Sequence, residues 1–200
     1  MKILIIDCCI RTSESRTRKL LDCCMKQLRI QSGISCEVLS LVNLDLKCLY
    51  GQFFEERQSL LARHCLDHPR FRYAHQFAEA DRIVIAAPLW DLSFPALLKV
   101  YLENVSVDGI TFYCDAQGMH GICRASRLLF LTTRGGFYEG TKDEQGCRYL
   151  KAFGKMCGIQ GFHHIAAEGI DFYPDRAPEW MDNALAKIPE AVEWLLAPEQ

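Results

Sequence analysis

Residues 82–90, RIVIAAPLW, are the most strand-like stretch of the chain and decide its fold class. Ile83, Val84 and Ile85 are consecutive β-favouring apolar residues, and Pro88 bounds the run. A strand that is apolar at successive positions is buried on both faces, which is typical of a parallel sheet covered by helices. The stretch therefore predicts a strand inside an α/β domain.

Apolar runs of the same kind recur on both sides of this strand, each separated from the next by a helical pattern. Further strands are predicted within residues 3–6, 36–42, 127–136 and 162–172. Helices are predicted over 16–30, 53–80 (broken near Pro69), 94–105 (Pro95 in the first turn), 147–158 (Gly158 as C-cap) and 177–196 (restarting at Pro189). Residues 109–123 predict a short hairpin that turns at Gly118.

This alternation predicts one domain over residues 1–200. Its expected architecture is α/β: a three-layer, doubly wound fold of flavodoxin-like type around a five-stranded parallel sheet. In such a sheet the ligand binds beyond the carboxyl ends of the strands.

Composition excludes several classes of function. The formal net charge is only -2, so no broad basic face is available for nucleic acid. No apolar run approaches the roughly 20 residues of a membrane span. The first apolar run stops at Asp7 and does not resemble a signal peptide. We therefore expect a cytoplasmic protein that binds neither nucleic acid nor membrane.

The chain has eleven cysteines, an unusually high number. Cys8-Cys9 and Cys23-Cys24 are adjacent pairs, and no C-x-x-C spacing occurs, so no metal site is predicted. A disulfide framework is disfavoured by the odd count and the size of the chain. We interpret most of these cysteines as reduced thiols used as small buried hydrophobes.

Three loops at predicted strand ends carry unusual chemistry. The first, CCIRTSESRT (8–17), leads into a helix whose N-terminal N–H groups favour phosphate. The hydroxyls of Ser15 and Thr17 and the backbone at Arg16 would add donors. Serine and threonine also cap helices for purely structural reasons, and that alternative remains open here. The loop has neither a Walker nor a G-x-G-x-x-G spacing.

The second loop is PLWDLSFP (88–95), and the third is TTRGGFYEG (132–140). Trp90 suits the edge of a flat ring ligand, although it could equally belong to the core. Gly135 and Gly136 let backbone N–H groups approach a ligand closely, with Thr133 and Arg134 beside them. Such donors would stabilise the negative charge of a reduced flavin.

Taken together, the three loops resemble a known family. The S-x-T of the first loop, APLWDLSFPALLK (87–99) and TTRGG (132–136) resemble the motifs of the FMN-dependent NADH-azoreductases, which are flavodoxin-like NAD(P)H:quinone oxidoreductases. The resemblance covers nearly the whole chain, including GITFYC (109–114) and AEGIDF (167–172).

The resemblance implies an FMN-dependent enzyme that takes hydride from NADH or NADPH and passes it to a quinone or azo acceptor by ping-pong chemistry. It also implies a homodimer with flavin pockets at the interface. The expected cofactor-binding residues are Cys9, Ser15, Arg16, Thr17, Pro88, Leu89, Trp90, Asp91, Leu92, Thr133, Arg134, Gly135 and Gly136. The first loop would hold the phosphate, and the other two would enclose the isoalloxazine.

Two positions depart from the family pattern. Cys9 replaces a phosphate-binding serine and is a weaker donor, and Asp91 replaces an asparagine. If residue 91 contacts the flavin through its backbone, that change is tolerable; if its side chain matters, a carboxylate near the ring would lower the flavin redox potential. Arg11, Arg16 and Arg18 could compensate near the phosphate. These departures favour one alternative: a flavodoxin-like binding or regulatory protein without reductase activity.

A flavodoxin-type electron carrier is disfavoured, because the chain lacks a strongly acidic surface and a T-x-T-G-x-T loop. The flavin itself carries hydride chemistry, so no catalytic side chain is assigned. His120 could donate a proton to a reduced acceptor, or it could simply be an exposed loop histidine.

Overall fold

The chain folds into an α/β domain in which strands and helices alternate. The structure, a computed structural model, describes residues 1–198. Its strands are β1 (Lys2–Asp7), β2 (Ser35–Ser40), β3 (Arg82–Ala86), β4 (Phe112–Asp115), β5 (Gly118–Gly121), β6 (Arg127–Thr133) and β7 (Gly161–Ala167). Its α-helices are α1 (Arg16–Arg29), α2 (Gly51–Ala62), α3 (Arg72–Glu79), α4 (Ala96–Val105), α5 (Gly146–Met156), α6 (Ala177–Ala186) and α7 (Ile188–Leu196).

Five of the strands form one parallel sheet in the order β2-β1-β3-β6-β7, and β4 pairs with β5 in a separate antiparallel hairpin. The chain winds outward from β1 in one direction to β2 and in the other to β3, β6 and β7. This confirms the doubly wound, five-stranded fold that the sequence predicts. The reversal of strand order between β1 and β3 places the ligand crevice at the carboxyl ends of the central strands.

Helices cover both faces of the sheet, because alternate residues of each strand point in opposite directions. In β1, Ile3 and Ile5 pack into a core shared with α1, α6 and α7, whereas Leu4 and Ile6 pack into a core shared with α3, α4 and α5. All four side chains are fully buried. The continuous apolar run in the sequence is therefore explained by a strand that faces two cores.

Prolines and glycines set several element ends as predicted. The helical region 53–80 divides into α2 and α3 around a 3-10 turn at Pro69–Phe71, and α7 restarts with Pro189 in its first turn. Gly118 and Gly158 adopt φ of 128° and 93°, in the left-handed region where glycine is favoured. Pro95 is shifted by one residue from the prediction, because it is the extended N-cap of α4.

Four of the eleven cysteines, Cys8, Cys9, Cys24 and Cys157, are buried in the two main cores, whereas four others are half-buried and three are exposed. The interpretation of most cysteines as buried hydrophobes is therefore wrong. Burial raises the pKa of Cys8 and of Cys24 to about 12, so both remain neutral thiols. Across residues 1–198, no helix combines the length and apolar character that crossing a bilayer requires.

Candidate functional site

A cleft opens at the carboxyl ends of β1, β3 and β6, with a cavity volume of about 110 Å³. It brings the three loops together, as the sequence predicts. Nine of the expected site residues line it: Ser15, Arg16, Thr17, Pro88, Leu89, Trp90, Thr133, Arg134 and Gly135. Four further residues line it: Arg11, which the sequence analysis expected near the phosphate, and Glu14, Ile170 and Asp171, which it missed.

The first loop ends at the N-terminus of α1, where Ser15 is the N-cap. Its Oγ accepts a hydrogen bond from the N–H of Arg18 at 3.3 Å, so the structural role proposed for this serine is real. Capping uses an oxygen lone pair, so the hydroxyl still has a proton to donate, and the thiol of Cys9 lies within its hydrogen-bonding reach. Arg16 and Thr17 lie in the first turn of α1, where backbone N–H groups have no acceptor within the helix. Their N–H groups therefore also remain available to a ligand. One loop can therefore cap its helix and bind an anion.

Thr17 connects the first loop to the third. Its Oγ1 lies 2.6 Å from Oγ1 of Thr133, and the Thr17 side chain is fully buried. The bond joins the first turn of α1 to the end of β6 across 116 residues of sequence. It fixes the relative position of two loops that form opposite walls of the cleft.

The arginines of the first loop have different partners. Arg18 forms an ion pair with Asp7, which is 1% exposed at the end of β1. Because that pair neutralises a buried carboxylate, Arg18 is not free to bind phosphate. The sequence analysis had expected Arg18 near the phosphate. Arg16 lies on the cleft wall, where its Nη1 is 2.6 Å from Oδ1 of Asp171. Arg11 also lies there and pairs with Glu14 at 3.6 Å.

The second loop makes a tight turn from Trp90 to Ser93. The two residues exchange backbone hydrogen bonds of 3.3 and 2.8 Å, and the residues between them, Asp91 and Leu92, have φ of 48° and 67°. This is the two-residue turn in which both central positions are left-handed. Aspartate tolerates that backbone better than most residues, as asparagine does, which gives a structural reason for either residue at position 91.

The side chains of Asp91 and Leu92 are exposed and are not part of the cleft wall. Their backbone N–H groups have no hydrogen-bond acceptor within residues 1–198. The N–H of Gln145 donates to the carbonyl of Leu92 at 2.9 Å and helps to hold the turn. The contribution of these two residues to a ligand site would therefore be through the backbone.

The third loop carries Gly135, which is half-buried, and Gly136, which is buried; their N–H groups likewise lack an acceptor among the described residues. A Cβ at Gly135 would lie 2.6 Å from Oδ2 of Asp171. A Cβ at Gly136 would lie 3.1 Å from the ring of Tyr138 and 3.2 Å from that of Phe172. A side chain at either position would therefore displace its neighbours, and of the two glycines Gly135 lines the cleft.

The guanidinium of Arg134 turns away from the cleft and is completely buried. It contacts three carboxylates, Glu139 and Glu168 at 2.9 Å and Glu144 at 3.3 Å, and the sulfur of Cys147 at 3.2 Å. Burial alone would lower the pKa of Arg134, but the hydrogen bond to Glu168 and the other acidic neighbours outweigh it and raise the pKa. Arg134 thus organises the loop rather than offering its charge to a ligand.

Two other residues singled out in the sequence lie away from the cleft wall. Cys9 is 1% exposed and packs in the core, where burial and the carboxylate of Asp7 raise the pKa of its thiol. His120 lies on the β4–β5 hairpin, stacks on Tyr113 and places Nε2 2.8 Å from Oδ1 of Asp115. Neither lines the cleft, so a role for either in binding or proton transfer remains a prediction.

Residues 1–192 match a protein family whose description is a flavodoxin-like fold. The FMN-dependent NADH:quinone oxidoreductase of Clostridium perfringens (strain ATCC 13124) is 33% identical over 197 residues, which cover 93% of this chain and 95% of that protein. The FMN-dependent NADH:quinone oxidoreductase 2 of Clostridium acetobutylicum is 42% identical over 127 residues. That match covers 62% of this chain and 64% of the relative, slightly less than two thirds of its length.

Solved structures of similar fold include an azoreductase from Bacillus anthracis strain Sterne, with a TM-score of 0.85 at 21% identity over 97% of this chain and 99% of that one. An FMN-dependent NADH-azoreductase from B. anthracis strain Ames Ancestor, solved in complex with FMN, also has a TM-score of 0.85 at 21% identity. It covers 98% of this chain and 99% of its own. At this identity the likeness concerns the fold.

Proposed function

We propose that this chain, which belongs to the flavodoxin-like family matched over residues 1–192, is an FMN-dependent NADH:quinone oxidoreductase that also accepts azo compounds. The observation that carries the proposal is the convergence of three separate loops on one cleft at the switch point of the sheet. The names of the aligned Clostridium relatives agree with this activity.

The cleft fits FMN in the chemistry of its donors. Ser15 and Thr17 supply buried hydroxyls at the N-terminus of α1, a position that favours phosphate. At the other wall, Gly135 lines the cleft, and a Cβ at Gly135 or Gly136 would come within 2.6 or 3.1 Å of a neighbouring side chain. A flat ring beside these glycines could accept hydrogen bonds from their N–H groups at the atoms where negative charge develops on reduction.

Bound FMN would supply the redox chemistry: hydride from NADH reaches the quinone or azo acceptor by way of the flavin. The protein's own groups bind and orient. The hydroxyls of Ser15 and Thr17 and the N–H of Arg16 would hold the phosphate, while Pro88, Leu89 and Trp90 would form an apolar wall for the ring. The N–H groups of Asp91 and Leu92 would reach the ring from the strained turn. Arg134 would keep the glycine loop in place.

We extend the proposal to a homodimer in the cytoplasm. Four large apolar side chains at or near the cleft are exposed on the single chain: Trp90, Leu92, Phe137 and Phe172. Exposed apolar surface of this kind, next to a ligand cleft, supports a protein–protein contact that completes the pocket. Sedimentation of the purified protein would test the dimer.

The experiment that tests the function is the visible spectrum of the purified protein with added FMN, then with NADH under anaerobic conditions, and finally with a benzoquinone. We expect a bound-flavin band that bleaches with NADH and returns with the quinone. A protein that binds no FMN would overturn the proposal. It would favour instead the binding or regulatory protein considered in the sequence analysis.

A further inference from the structure

Two charged residues that line the cleft form an ion pair with each other. Arg16 is the first residue of α1, and Asp171 follows β7. Their side chains are partly exposed, and Nη1 of Arg16 lies 2.6 Å from Oδ1 of Asp171. Both line the cleft. The ion pair therefore links the expected phosphate loop to the segment that follows β7.

The two partners of this bridge are held differently. The N–H of Asp171 donates to the carbonyl of Gly135 at 3.0 Å, and its Oδ2 lies over Gly135, where a Cβ would come within 2.6 Å. The carboxylate is thus positioned by the backbone of the glycine loop. Arg16 contributes a long, flexible side chain whose hydrogen-bonded partner in the described structure is this carboxylate. Exchange of partners would therefore move Arg16 rather than Asp171.

The charges of the cleft wall balance within the protein. Arg16 pairs with Asp171, Arg11 pairs with Glu14, and the buried Arg134 is surrounded by glutamates. Arg134 is not available, because its guanidinium is fully buried away from the cleft. A phosphate bound at the N-terminus of α1 can therefore gain a side-chain cation of the cleft wall only by taking it from an internal carboxylate, and Arg16 is the one at the helix start.

We infer that Asp171 is a specificity-determining residue that competes with the FMN phosphate for Arg16. This inference rests on the proposed function. A small anion that pairs with Arg16 must displace the carboxylate of Asp171. The net gain in binding free energy is therefore small, and the anion binds weakly. FMN also buries its ring against the apolar wall and the glycine loop, which offsets the lost pair. Asp171 thereby lowers the affinity for FMN somewhat and excludes simple anions from the cleft.

The test is a binding titration of the apoprotein, with FMN and with riboflavin, which has the same ring system and side chain but no phosphate. Asp171→Asn should bind FMN about fivefold more tightly, the effect of removing one exposed opposing charge. Its affinity for riboflavin should not change. Asp175→Asn is the matched control, because it removes an exposed carboxylate four residues further on that does not line the cleft.

A double-mutant cycle separates competition from simple repulsion. In an Arg16→Gln background there is no cation to compete for, so adding Asp171→Asn should no longer improve FMN binding. A fivefold gain that persists in that background would overturn the inference, since it would reflect charge repulsion alone. Equal gains for FMN and riboflavin would also overturn it, because the phosphate would then be irrelevant.

Inorganic phosphate provides a second readout that does not depend on flavin. Phosphate should raise the Tm of Asp171→Asn more than that of the wild-type protein, because Arg16 is then unpaired. If the wild-type protein bound no FMN, the proposed function would fail, and this measurement would still decide the role of Asp171. Equal increases in Tm would overturn the competition.

Discussion

Arg134 and Glu168 join three parts of the chain through one buried ion pair, with Nη1 2.9 Å from Oε1. The same oxygen of Glu168 accepts hydrogen bonds from the N–H groups of Tyr138 and Glu139, at 2.8 and 2.9 Å. Arg134 follows β6, Glu168 follows β7, and the two amides lie in the loop after Gly136. The pair therefore fixes the shape of the loop that carries the glycines of the cleft.

Arg134→Met should lower the free energy of unfolding by about 3–5 kcal/mol, because it leaves the surrounding glutamates without their buried cation. Urea denaturation followed by circular dichroism measures the change. Arg148→Met is the matched control; this arginine is exposed on α5, so its loss should cost no more than about 0.5 kcal/mol. Similar effects of the two substitutions would contradict the role assigned to Arg134.

The glycine loop gives a direct test of where the flavin ring binds. Gly135→Val with Gly136→Val should weaken FMN binding by at least about tenfold, since one well-made contact to the backbone is worth that much. Fluorescence quenching of FMN measures the affinity. Gly154→Ala in α5 is the control, because a Cβ there meets its neighbours at 3.5 Å or more, far from the cleft. Unchanged FMN affinity in the double variant would mean that the ring lies elsewhere.

Substitutions of Thr17 and Thr133 can separate the structural role of the hydrogen bond between them from a role of Thr17 in binding FMN. Thr17→Val should lower the free energy of unfolding by about 1–2 kcal/mol, because it leaves the buried hydroxyl of Thr133 unpaired. Adding Thr133→Val should restore most of that stability, since both groups are then apolar and similar in shape. Both variants should nevertheless bind FMN more weakly than the wild-type protein. Full recovery of FMN affinity in the double variant would show that the hydroxyl of Thr17 does not contact the cofactor.

Asp81 lies at the opposite end of the sheet and makes the free energy of unfolding depend on pH. Its carboxylate accepts from the N–H of Lys2 at 2.6 Å and lies 2.6 Å from Nη2 of Arg124. Partial burial opposes the charged form, but these partners outweigh it and lower the pKa of Asp81. A carboxyl whose pKa is depressed by folding stabilises the protein above its unfolded pKa of about 3.9 and loses that effect as the pH falls through the folded value.

Asp81→Asn should therefore be less stable than the wild-type protein at pH 7, by about 1 kcal/mol. The difference should shrink as the pH is lowered from 5 towards 3. Chemical denaturation of both proteins at several pH values measures it. A difference that stayed constant down to the lowest pH would mean that the ionised carboxylate does not supply the stability.

Local patterns in the sequence predicted the elements well because each depends on neighbouring residues. The run at 82–90 becomes β3, and the helical periodicity after Ser15 becomes α1, within about a residue of the expected start. Nine expected site residues line the cleft because the loops that carry them follow strands of one parallel sheet. Once the strands are known, the sheet brings their carboxyl ends together.

The residues that the sequence analysis missed depend on side-chain direction and on long-range contacts. Asp171 lies 155 residues from Arg16, and nothing in the AEGIDF segment indicates that its carboxylate reaches the first loop. Arg134 stands in a motif that suggests ligand binding, yet its guanidinium turns into the protein. Arg18 likewise was expected near phosphate and instead neutralises Asp7.

The sequence by itself determined the α/β fold and the three loops that meet at one crevice, because hydrophobic periodicity and strand-end position are local properties of the chain. Only the tertiary structure decided which charges are free there. A charged side chain takes the partner that packing brings within about 3 Å, and with Arg16 and Asp171 that partner comes from the other end of the chain. The availability of a cation to a ligand is therefore a property of the folded protein.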